Sequence, residues 1–306
     1  MRDTRRYEFH GEATALGGRI VRIGEGKDAK PVEDGFIDLP ASALTAVGGR
    51  STTQLVGAQL TQPVASSVVR FTSATTAAEG VFDDLRGQFA VTNGGRDLST
   101  LTATTRVRAG VQGLEVGLRG EVQLKVQRVR GGFTSQSASS SGETPVQLDA
   151  DTAFDGVTFV DKDGKAYTLV VDVETGVFGD YDTFSKLTAA ISELEFMRNF
   201  GHTLHLSGVA DTGTAPTAPP LSRTDGGAVQ GTIVKPITWQ GPAFPNASID
   251  PGRPHFVVIP GLGTIYFGEI TIGRESRRVT MIRARLGSPA GGDVAACDFI
   301  DNGGWG

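Results

Sequence analysis

Five arginines crowd the span 274–285: Arg274, Arg277, Arg278, Arg283 and Arg285. Arg283 and Arg285 are two apart, so on a strand they leave from the same face. A turn at Gly273-Arg274-Glu275-Ser276 makes Ile272 and Arg277 neighbours, which sets Ile270 opposite Val279 and Tyr266 opposite Arg283. Guanidinium groups beside a tyrosine ring can hold an anionic ligand or an acidic patch on another subunit. A hydrated sheet face has the same composition. Tyr266, Arg283 and Arg285 are thus the candidate ligand- or partner-binding residues.

The remaining chemistry-bearing residues fall into weaker patterns. His202 and His205 are three apart just after an expected helix; on a strand they would face opposite ways, so they share a metal only if the helix continues through Gly201, and a surface pair near a helix end is the expectation. Acids gather at Asp149, Asp151, Asp155, Asp161, Asp163, Asp172, Glu174, Asp180 and Asp182. The twelve-residue calcium loop with its closing glutamate is not among them, and Asp161 with Asp163 fits a hairpin turn. No Gly-x-Ser-x-Gly elbow is present, and Cys297, beside Asp298, reads as a core or incidental thiol. Gly164-Lys165 and Gly26-Lys27 lack the upstream glycine of a phosphate loop, and Gly261-x-Gly263 precedes a strand rather than a helix. These patterns name no catalytic residue, no metal site and no cofactor.

The elements that must position the arginines are strands. From Leu114 to Val126 apolar and polar residues alternate: Leu114, Val116, Leu118, Val122, Leu124 and Val126 against Glu115, Arg119, Glu121, Gln123 and Lys125. A period of two is a strand with one buried face, and the run reads as one long strand. Leu101 to Val111 keeps its apolar residues on odd numbers, and after Gly113 they move to even numbers, which predicts a β-bulge or tight turn near Gly113. Tyr7–Phe9 and Ile20–Ile23, separated by Leu16-Gly17-Gly18, suggest a first hairpin. One helix is expected, 183–199, capped by Asp182 and stopped by Gly201.

The expected fold is mainly β: an antiparallel sandwich or barrel-like sheets with long strands, plus a small α+β insertion carrying the single helix. Residues 1–134 form a β-rich domain, 135–145 a Ser-rich loop or linker, and 146–206 the insertion. A Pro/Thr/Gly-rich loop at 207–227 leads to 228–306, C-terminal β hairpins and an irregular tail from Ser288 to Gly306, which complete the main domain.

Composition narrows the function classes. With 306 residues, 39% hydrophobic, the chain can bury a substantial core, and its 42 glycines show no triplet period and read as turns and kinks. A formal charge of −5 argues against a nucleic-acid partner. A single cysteine and no visible signal peptide make the cytoplasm the default, with export by a dedicated system as the exception. Three functions fit. The first is a non-enzymatic structural or interaction protein, a self-associating subunit whose partners are its own copies or other protein subunits. The second is a carbohydrate or small-ester hydrolase with a loop-built site; the third is a membrane-acting β-hairpin protein.

Overall fold

A computed structural model describes residues 7–23, 31–56, 67–83, 101–138, 146–173, 228–249, 255–273, 277–287 and 290–305. They form two antiparallel sheets and one short ribbon, and no helix occurs among them. The helix expected at 183–199 and the loop at 207–227 lie outside the described residues.

The ribbon pairs β1 (Tyr7–Glu8) with β18 (Gly304–Trp305), the first and last described strands. Sheet I contains β4 (Gly49–Val56), β5 (Ser67–Arg70), β6 (Ser73–Phe82), β7 (Thr102–Leu118), β8 (Gln123–Ala138), β9 (Val146–Leu148), β10 (Ala153–Val160), β11 (Ala166–Val170) and β13 (Thr238–Gln240). Its order is β13-β11-β10-β8-β7-β6-β4, with β5 on β7 and β9 on β8. Sheet II contains β2 (Gly11–Ile23), β3 (Pro31–Ala43), β12 (Ala228–Thr232), β14 (Phe256–Ile259), β15 (Gly263–Gly273), β16 (Arg277–Leu286) and β17 (Ala290–Asp301), in the order β12-β15-β16-β17-β2-β3 with β14 on β15.

The alternating residues explain why these strands form and how the sheets meet. Val107, Val111, Leu114, Val116, Leu124, Val126, Val129 and Phe133 of sheet I share one apolar cluster with Leu16, Ile20, Ile265, Phe267, Val279, Ile282 and Phe299 of sheet II. Each sheet therefore hides one face against the other and leaves the opposite face to polar residues.

The alternating run 114–126 proves to be a hairpin, not one strand. β7 ends at Leu118, Arg119-Gly120-Glu121 turns, and β8 pairs back with Leu114 opposite Val126 and Val116 opposite Leu124. Residues opposite one another have the same parity, so the apolar rhythm passes through the turn unbroken. Val116 and Val122 are buried and Glu121 is exposed, as the alternation requires.

Gly113 sits in the left-handed region, φ +64°, inside continuous β7. The shift in buried parity is not confined to that strand. In β8 it falls between Val126 and Val129, and in β10 Gly156 (φ +62°) lies at the same level, before buried Val157. Pairing is interrupted there and resumes in unchanged register, Gln112 with Arg128 and then Leu114 with Val126. Sheet II repeats the device: Gly268 (φ +59°) in β15 and Cys297 (φ +53°) in β17 lie level with Met281 of β16. A left-handed residue in one strand alone would slip its register; placed at one level across neighbours, the shift leaves the ladders aligned on both sides. The sheets meet close to these levels, where Met281 and Phe299 pack on Gly131 and the Cys297 thiol lies 3.5 Å from the Val129 carbonyl.

Four further expectations are corrected. The tail from Ser288 is not irregular, because β17 runs from Ala290 to Asp301 between β16 and β2, its alternate residues buried in the core. Gly17-Gly18 does not turn a hairpin, because β2 runs unbroken for 13 residues. Gly18 instead leaves room for the Asp293 carbonyl of β17, which any Cβ there would strike. The Ser-rich stretch is not all loop, since β8 continues to Ala138 with Ser135 and Ser137 buried. The hairpin β10–β11 does not stand apart as an insertion: β10 pairs along β8 from Val160 to Ala153, and β11 carries β13, so it belongs to sheet I.

Candidate functional site: an arginine ladder and a buried charge pair

Tyr266 stands opposite Arg283, and Ile270 opposite Val279, in the register that sets Ile272 opposite Arg277. The Arg283 guanidinium lies over the Tyr266 ring, 4.0 Å from its centroid. It also donates twice to Glu269, Nε to Oε2 at 2.6 Å and Nη2 to Oε1 at 2.7 Å. That carboxylate pair, ahead of the opposing desolvation, raises the Arg283 pKa further. Arg285 approaches Asp293 at 3.7 Å, and Arg278 forms a two-pronged pair with Asp298, which also accepts from the Thr280 hydroxyl at 2.8 Å. The structure thus brings Tyr266, Arg283 and Arg285 onto one outward face, with their cationic groups engaged by acids from β15 and β17.

Sheet I wears the same pattern. Arg70 pairs with Glu115, which also meets Lys125 at 3.5 Å; Arg106 pairs with Glu79, Arg108 with Asp149, and Arg128 with Asp155. Burial raises the Asp149 pKa, opposed by the Arg108 hydrogen bond. Of the acids that cluster in the sequence, Asp149, Asp151 and Asp155 pair with three separate arginines, and Glu174, Asp180 and Asp182 lie outside the described residues. Asp161 serves the β10–β11 turn, accepting the amides of Asp163 at 3.0 Å and Lys165 at 2.9 Å. Among the described residues no group of three or more His, Cys, Asp or Glu could hold a metal. His202 and His205 lie outside them. No helix among the described residues is long and apolar enough to cross a membrane.

The group that sequence reasoning missed lies between the sheets, beside the β1–β18 ribbon. Arg277, first residue of β16, is 1% exposed, and Asp301, last residue of β17, is 0% exposed; their Nε and Oδ2 are 3.5 Å apart. The Asp301 carboxylate also accepts the Ser135 hydroxyl and, at 2.8 Å, the Gly303 amide. Tyr7 closes the group, its ring set against Gly303. Burial, and secondarily the Asp301 charge, push its hydroxyl pKa up to about 12. Cys297 is fully buried, and desolvation drives its thiol pKa far up, which suits core packing rather than nucleophilic chemistry. No signal in the sequence marks the buried pair, because the register that sets Arg277 directly opposite Asp301 depends on β17, in a segment expected to be irregular.

Comparison with protein-family models, curated proteins and solved structures finds no match for this chain.

Proposed function

We propose that this chain is a structural or interaction protein, a β-sandwich subunit that associates with copies of itself. The observation that carries the reading is the use of charge. On the outward faces of both sheets, arginines and acids join neighbouring strands in pairs, Arg283–Glu269 and Arg278–Asp298 on sheet II, Arg106–Glu79 and Arg128–Asp155 on sheet I. A site that performs general acid–base chemistry instead gathers its titratable groups around one place a substrate can occupy. Individual exposed pairs contribute little stability, but opposite charges placed across strands favour one register and one alignment. A wall of this kind suits a building block. The reading predicts a mass above that of one chain when pure protein at micromolar concentration is measured by light scattering. A strict monomer under those conditions removes the self-association.

A further inference from the structure

We infer that the contact between copies is made edge to edge by β4, two of which pair antiparallel so that sheet I continues from one chain into the next; this rests on the self-association reading and names its interface.

Sheet edges are normally blunted by proline, lysine, bulges or short length, because a free ladder of amides and carbonyls recruits other strands. The other edges here fit that rule. β3 carries Pro31 and Pro40, which have no amide hydrogen to give. β13 is three residues long, β14 four and β12 five. β4 differs. It is eight residues, Gly49-Arg50-Ser51-Thr52-Thr53-Gln54-Leu55-Val56, with no proline, no lysine and one charge near its start. It ends sheet I, paired with β6 on one side, and no other strand among the described residues pairs with it.

Its side chains also suit a second copy. A twofold axis perpendicular to the sheet sets each residue opposite one on the same face, as an isologous contact demands. Centred on Thr53, this pairing puts Thr52 opposite Gln54, Ser51 opposite Leu55 and Arg50 opposite Val56, and no like charges face each other. Val56 is 68% exposed, and Val47, just before the strand, is 75% exposed; they are the two most exposed large apolar side chains among the described residues. The pairing lays the aliphatic stem of Arg50 over Val56 and brings the Val47 end of one copy toward the Val56 end of the other.

The test is a charge swap at the outward positions Thr52 and Gln54, both exposed and so replaceable without loss of packing. T52K/Q54K sets lysine against lysine across the axis and is expected to sediment as a monomer with an unchanged circular dichroism spectrum. T52K/Q54E sets lysine against glutamate and is expected to associate as the native chain does. If T52K/Q54K associates like the native chain, the β4 contact is overturned while self-association stands; if the native chain is itself monomeric, both fall. Should T52K/Q54K fail to fold, hydrogen exchange on the native chain decides. Slower exchange at alternate β4 amides on raising the concentration supports the contact, and exchange independent of concentration overturns it.

Discussion

Arg277 and Asp301 hold the most deeply hidden opposite charges among the described residues, and their environment sets what their removal should do. A buried ion pair stripped of one partner leaves an uncompensated charge, which costs about 3–5 kcal/mol. Asp301→Ala should therefore lower the urea midpoint far more than Asp293→Ala, whose side chain is half exposed beside Arg285. Equal losses would show that the buried pair has no special weight. Tyr7 adds a pH dependence. Its folded pKa of about 12 lies above the ordinary value of 10.0, so the folded state holds the phenolic proton more tightly than the unfolded chain. That contribution is whole below pH 10 and is lost as the pH rises toward 12. Tyr7→Phe should flatten the alkaline fall in stability, and an unchanged slope would contradict the assignment. At this scale the sequence was informative where a turn defined a register, as with Tyr266 and Arg283. It was silent on Arg277, which reads as one more member of an arginine group although it alone of the group's described residues faces inward.

Among the elements, the glycines at the parity shift carry the sharpest expectation. A Cβ at Gly113 would collide with the Thr72 hydroxyl, and φ +64° is unfavourable to any L side chain. Gly113→Ala should lose about 1–3 kcal/mol. Gly120, at φ +80° in the β7–β8 turn, has open space around it, so Gly120→Ala should lose only about 1 kcal/mol. Thermal unfolding of both variants tests the difference; equal losses would mean that the contact with Thr72 is easily relieved. The odd-to-even change at Gly113 was visible in the sequence because a local break in polarity rhythm is a local signal. The turn at 119–121 was not, because equal parity on its two sides hides it. Gly17-Gly18 misled for another reason: glycine marks a close backbone approach between strands as readily as it marks a turn.

For the whole molecule, the pairing of β1 with β18 ties both sheets together. Phe9 packs edge-on to Phe82, its ring fills space over Gly48 and Gly80, and its amide donates to the Ala46 carbonyl at 3.0 Å. Deleting residues 1–10 should expose this contact and the Asp301 group together, lowering the melting temperature by more than Tyr7→Phe does. A melting temperature no lower than that of Tyr7→Phe would show that the strand is dispensable. The mainly β character was legible throughout, because alternation repeats in nearly every segment. The partition between sheets was not, since the pairing of β2 with β17 joins residues at opposite ends of the chain. Function was least legible, because arginines and acids that pair across strands look the same in sequence as those that converge on a ligand. Sedimentation equilibrium over a concentration series tests self-association most directly. The account predicts an average mass rising with concentration above the 32.0 kDa of one chain, and a mass that stays at that value across the series would contradict it.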